Sequence, residues 1–408
     1  MPVGYLIPVL FVGSVTLLAI RPVRRPESLG LVSFLLTLLI NEVPIVGLYL
    51  LLPATALAFA QGDIGTPGGR AVLGLAVLVV VGLATIARRA MLAGPVVERA
   101  LAEGLGAGWR SETDPALSAG LRRGLPLGRI VFLPFLTRRR DVTHVKNLSY
   151  GDAGKRNLLD LYCHRSRPSG APILIHLHGG HYSMGRKDSQ ALPLIYRLAS
   201  QGWVCISANY RLRPAVQHPE HLIDYKRVIA WAREHAEEYG ADPAMIFASG
   251  TSAGGHMASI AGLTADDPDL QPGFEDVDTS VAGVIILNGY LGRYFGQGPE
   301  SSPLGHVRPD APPYLIAHGD HDTLVPPEVN RPFVEGLRRV SRNPVVYAEL
   351  PGAQHGFDLY HSVRFETLIN GIEAFAAWVR TGSAGRTGSR PGGSGSSAGP
   401  EVSRRRGP

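Results

Sequence analysis

A mostly parallel α/β sheet with helices on both faces, preceded by about three transmembrane helices, is the fold class this 408-residue sequence predicts. Three observations predict it. Residues 1–90 are far more apolar than the rest of the chain. Between 142 and 380, short apolar runs alternate with amphipathic helical patterns. Beyond 381 the chain is Gly, Ser, Arg and Pro without apolar periodicity, a composition that buries too little surface to fold. The expected organisation is a transmembrane region (1–90), a connector (91–141), an α/β domain (142–380) and a disordered tail (381–408).

Val3–Ile20 has about the length that spans a bilayer and is followed by Arg21, Arg24 and Arg25. It lacks the basic leader of a cleaved signal peptide, and further apolar runs follow. The stretch 29–60 is interrupted by Asn41, Glu42 and Pro44. Its first part is too short to cross alone, so a single span over 43–60 with a kinked or interfacial lead-in is expected, with Glu42 at the helix break. A third run, 71–86, ends at Arg88 and Arg89. Placing the arginine clusters on the cytoplasmic side gives a multi-pass membrane protein whose remaining chain is cytoplasmic. Losing one span reverses that drawing, and Asn147-Leu148-Ser149 would then be a glycosylation sequon. The segment 91–140 is polar and dotted with Gly and Arg, with a helix expected near 95–103.

The net charge of +6 is concentrated near the apolar segments and in the tail. A nucleic-acid reader gathers its basic residues on one face of a domain, so no nucleic-acid partner is expected. The two cysteines, Cys163 and Cys205, supply neither a disulfide framework nor a CxxC metal site.

Strand-like runs fall at 159–163, 172–177, 203–208, 245–249, 281–287, 314–317 and 345–350, with helical patterns at 189–201, 223–239, 253–264, 329–341 and 365–380. In such sheets functional residues collect beyond the carboxyl ends of the strands. Gly250-Thr251-Ser252-Ala253-Gly254 lies at such a place, directly after a strand and before a helix. That is the setting of a nucleophile elbow, where small neighbours let the chain turn sharply under an exposed serine. The plain alternative is a serine that caps a helix. His178-Gly179-Gly180-His181 follows an earlier strand, and its glycine pair lets backbone N–H groups approach an oxyanion. Gly179, Gly180 or both would act with the N–H of Ala253. His181 and Tyr182 are candidates for lining the substrate pocket.

A serine hydroxyl needs a base, and the base an orienting acid. After Ser252 come His318-Gly319-Asp320-His321-Asp322, with two candidate acids, and Pro351-Gly352-Ala353-Gln354-His355-Gly356, with one prominent histidine. His355 is the expected base; spacing alone does not separate Asp320 from Asp322. His218 and His221 stand one helical turn apart without a third ligand, so no metal is expected, and His256 reads as a packed or capping residue.

These motifs, in this order over about 142–380, resemble the esterase/lipase branch of the α/β-hydrolases, close to the hormone-sensitive-lipase-like and bacterial feruloyl-esterase-like carboxylesterases. The resemblance implies the α/β-hydrolase fold, Asp322 as the catalytic acid with Asp320 in reserve, and hydrolysis of carboxylic esters through an acyl-enzyme without a cofactor. Together with the N-terminal runs it implies a small-molecule or lipid ester substrate near a membrane. Two departures are His181 after the glycine pair and a short, Gly- and Pro-rich 288–313 segment with little room for a large cap. Ala253 differs from the aromatic residue of peptidase relatives. A transacylase shares every residue named, and a non-catalytic receptor on this scaffold typically lacks a triad member. The family topology also makes the strands of Cys163 and Cys205 antiparallel neighbours, so an exported domain could pair them in a disulfide.

Overall fold

The computed structural model describes residues 2–387 except 123 and 266. Four helices lead the chain: α1 (Val3–Ile20), α2 (Glu27–Glu42), α3 (Ile45–Ala60) and α4 (Pro67–Met91). By length and composition α1 and α4 can each cross a membrane, and α2 and α3 pass the same test only as a pair, bent by 82° at the break between them. The expected lead-in to the second span is thus a helix of 16 residues in its own right. The break falls at Val43-Pro44, where proline removes a backbone donor and clashes with the preceding turn. Val12, Val15, Val79 and Leu83 pack inside the bundle, while Ile7, Phe11, Leu52 and Leu78 point outward.

Helix α5 (Ala93–Leu105) follows α4 almost without interruption, then come the short helices α6 (Trp109–Glu112), α7 (Pro115–Ala119) and α8 (Leu127–Phe132). The helix expected near 95–103 is α5, and it is more than a connector. Val97, Leu101 and Leu105, one turn apart on a single stripe, are buried in the same core as Phe365 and Ile372.

The sheet has eight strands: β1 (Val142–Ser149), β2 (Leu158–His164), β3 (Ala171–Leu177), β4 (Val204–Ala208), β5 (Ala241–Thr251), β6 (Gly283–Leu287), β7 (Tyr314–Gly319) and β8 (Val345–Leu350). Their order is β1-β2-β4-β3-β5-β6-β7-β8. β2 runs antiparallel to β1 and β4, and every other pairing is parallel. The inner strands β3, β4, β6 and β7 are buried at every position, which is why they read as unbroken apolar runs. β1 has no such run because it is a half-exposed edge strand.

Of the remaining helices, α10 (Glu220–Glu234), α11 (Ala253–Leu263) and α12 (Arg331–Val340) cover one face. α9 (Leu192–Ser200) and α13 (Val363–Thr387) join α5 on the other. α13 takes up residues 381–387 of the expected tail; the rest of that tail lies outside the described residues.

The cysteine pairing is overturned. Cys205 sits opposite Tyr162 in the β2–β4 ladder, so Cys163, the next residue along, points to the other face. The two thiols belong to the cores on opposite sides of the sheet, and both are free.

Candidate active site

The loops beyond the carboxyl ends of β3, β5, β7 and β8 converge. Ser252 stands between β5 and α11 with φ 54° and ψ −116°, a conformation outside the wells of ordinary L-residues that requires support from its surroundings. The glycines supply part of it. A methyl group at Gly250 would stand 2.2 Å from the Gly254 carbonyl carbon, and one at Gly254 would stand 2.0 Å from the Leu177 oxygen. Neither position admits a side chain. The Ser252 hydroxyl makes no hydrogen bond among the described residues, and the α11 N-terminus behind it presents the free N–H groups of a first helical turn.

A further support was not legible in advance. Thr251 Oγ1 donates to Asp358 Oδ2 at 2.6 Å, tying the elbow to the loop that carries His355. Asp358 is fully buried, and burial pushes its carboxyl above the usual range. Thr251→Val would take the one side-chain donor from that buried carboxyl, lowering stability by about 1–3 kcal/mol. The midpoint of thermal inactivation should fall accordingly, and an unchanged midpoint would refute the tie.

His355 Nδ1 lies 2.7 Å from Asp322 Oδ2. The other Asp322 oxygen accepts from the N–H groups of Leu324 and Val325 at 2.9 and 2.8 Å. Burial alone would raise the Asp322 carboxyl, but the charge of His355 and hydrogen bonds from His318 and His355 hold it well below the usual range. Burial likewise opposes a charged His355, yet the charge and hydrogen bond of Asp322 prevail and raise its imidazole above the ordinary value. Asp320 is placed differently: its Oδ1 accepts from Gly352 N–H at 2.6 Å, so it joins the loops after β7 and β8. Gln354 Oε1 accepts from the N–H groups of Thr323 and His355 at 2.8 and 2.9 Å, cross-linking the same two loops.

The glycine pair lies beside the serine. A methyl group at Gly179 would stand 2.7 Å from Ser252 Cβ. The Gly179 N–H is already engaged, donating to Gln190 Oε1 at 2.5 Å; Gly180 and Ala253 carry the N–H groups without a protein partner among the described residues. His181 is exposed, with its ring edge-on to Phe295 at 4.6 Å between centroids, and Arg213 sits 4.1 Å over the Phe295 ring. Tyr182 faces inward: it is 3% exposed and its hydroxyl is 2.6 Å from His256 Nδ1. His221 is bound to the Arg211 carbonyl and the Tyr294 hydroxyl at 2.7 and 3.0 Å, and His218 tilts against the Tyr294 ring.

A sheet of this order, with a serine on a strained strand–helix turn and an acid–histidine pair after the last strands, defines an α/β-hydrolase. The BD-FAE family model matches residues 159–290. The protein named "probable carboxylic ester hydrolase LipM" of Mycobacterium tuberculosis is 36% identical over 92% of this chain and 93% of its own length. Esterase LipQ of the same organism is 37% identical, over 58% of this chain and 63% of its own. A truncated carbohydrate esterase from gut microbiota shares the fold, with a TM-score of 0.50 at 21% identity over 58% of this chain and 96% of that one. The chain belongs to the carboxylesterases of the α/β-hydrolase superfamily, and its activity is the hydrolysis of carboxylic esters.

Proposed function

We propose that the chain hydrolyses esters through an acyl-enzyme formed on Ser252, acting at a membrane that holds its N-terminal helices. The observation that carries this reading is the bond between His355 and the buried Asp322 beside an unengaged serine on a strained turn. His355 takes the Ser252 proton as Oγ attacks the ester carbon, then returns it to the departing alkoxide. Water, activated by the same imidazole, releases the acid. Asp322 fixes the tautomer and balances the imidazolium. The N–H groups of Gly180 and Ala253 receive the oxyanion, while Gln190 holds Gly179 in place. The preferred substrates are esters that partition into lipid, and the catalytic domain lies on the cytoplasmic side, where the arginine clusters put it.

The pH profile tests the base. His355 works only when neutral, so kcat/KM should fall as pH drops through its pKa. Asp322 raises that pKa, so the limb should lie above the ordinary histidine value of about 6.5. Asp322→Asn should shift the limb to lower pH and reduce kcat by roughly 10⁴-fold. A limb that stays in place in that variant would remove Asp322 from the role.

A further inference from the structure

α2 presents one face to the site and another to the outside. On the inner face, Gly30 O accepts from Thr323 Oγ1 at 2.9 Å. Phe34 meets the His355 ring edge-on at 6.0 Å between centroids. Leu38 lies against Gly356, and Asn41 Nδ2 donates to Gly352 O at 2.8 Å. These positions recur at helical spacing, so the helix lies along the acid and histidine loops. On its outer face Leu29, Val32, Leu35 and Leu36 are exposed, Leu35 at 64%.

The same loop is flanked by a second exposed apolar segment. His361 N donates to Pro134 O at 2.9 Å, and Phe135 packs edge-on against Tyr360. Phe132, Leu133 and Leu136 beside it are exposed, and Tyr49 of α3 holds the segment by donating to Val131 O at 2.7 Å. The rim on the His355 side is therefore rich in exposed apolar side chains, edged by Arg24 on Asp320 O and Arg129 on Leu136 O, and continuous with the bundle. A surface of this kind belongs in lipid.

The chemistry says which half of the substrate this rim meets. His355 delivers its proton to the leaving oxygen, so the alcohol half of the ester departs on its side. We propose that α2 is the wall of the alcohol subsite, that Phe34 is its specificity-determining residue, and that esters of long-chain alcohols enter along it directly from the bilayer. The inference rests on the acyl-enzyme reading above. In the step concerned, Ser252 Oγ bonds to the acyl carbon and the bond from that carbon to the alkoxide breaks. His355 protonates the alkoxide, and the long alcohol leaves into lipid without its chain crossing water.

The test uses the full chain in phosphatidylcholine vesicles. Two ester series are compared: alkyl butyrates from ethyl to dodecyl, and p-nitrophenyl esters of acids of increasing length. Phe34→Ala should lower the dodecyl-to-ethyl ratio of kcat/KM by roughly tenfold, with the acyl-length profile parallel to wild type, and Phe34→Leu should retain most of the ratio. Adding empty vesicles at constant total ester should slow dodecyl butyrate hydrolysis by surface dilution and leave ethyl butyrate unaffected. An unchanged alkyl ratio, an equal loss on all esters in both variants, a shift in the acyl series instead, or dodecyl rates blind to added lipid would overturn the proposal. Ser252→Ala separates the two readings: hydrolysis that survives it defeats both, whereas hydrolysis abolished by it beside an unchanged alkyl ratio in Phe34→Ala defeats only the wall.

Discussion

Ser252→Ala should lower kcat on p-nitrophenyl esters by roughly 10⁶-fold, the scale on which loss of a serine nucleophile acts in a preassembled triad. The neighbouring hydroxyl, that of Thr251, is engaged with Asp358, and the remaining oxyanion donors sustain only a residual rate. The fold should not suffer. The hydroxyl makes no hydrogen bond among the described residues, and alanine meets the same positive φ of 54° that serine already bears. An inactive variant with an unchanged melting midpoint is the expected pair of results. Persisting activity would move the nucleophile elsewhere.

Glu42→Ala should be among the most destabilising single changes in the chain, by about 3–5 kcal/mol. Glu42 Oε1 lies 2.8 Å from Arg364 Nη1, and both side chains are wholly buried. Arg364 also donates to the carbonyls of Pro351 and Asn41 at 2.9 and 3.0 Å. Removing Glu42 strands a guanidinium charge between the bent helix pair and α13. The double variant Glu42→Leu/Arg364→Met removes both charges together and should recover much of the loss. Thermal inactivation of the two variants checks this. A single variant as stable as wild type would show that the ion pair does not join the N-terminal bundle to the catalytic domain.

Legibility in the sequence followed the range of the interactions. Ser252 stands out because its elbow is local: a strand, two glycines and a helix start within a few residues. His355 stands out because the following strand end carries one histidine. Asp322 and Asp320 share the same turn chemistry, and only the family resemblance favoured one of them. The structure distinguishes them by contact, His355 for Asp322 and Gly352 for Asp320. Asp358 and Gln354 were hidden although they flank His355, because a polar loop residue looks the same whether it faces water or a buried neighbour. Glu42 read as an interfacial residue at a helix break. Its partner lies 322 residues away, beyond the reach of any local pattern. Phe34 was invisible for the same reason, one aromatic ring within an apolar run. β1 escaped because its edge position leaves it without a buried run, and the cysteine pairing failed because adjacent strands alone do not fix which face a side chain takes.

The most direct test of the central claim is mass spectrometry of the chain quenched in acid during turnover of a p-nitrophenyl ester. An acyl group attached to the peptide containing Ser252 is predicted. It should be absent in Ser252→Ala and should build up far more slowly in His355→Ala. Acylation of another residue, or none in a preparation trapped during rapid turnover, would contradict the account.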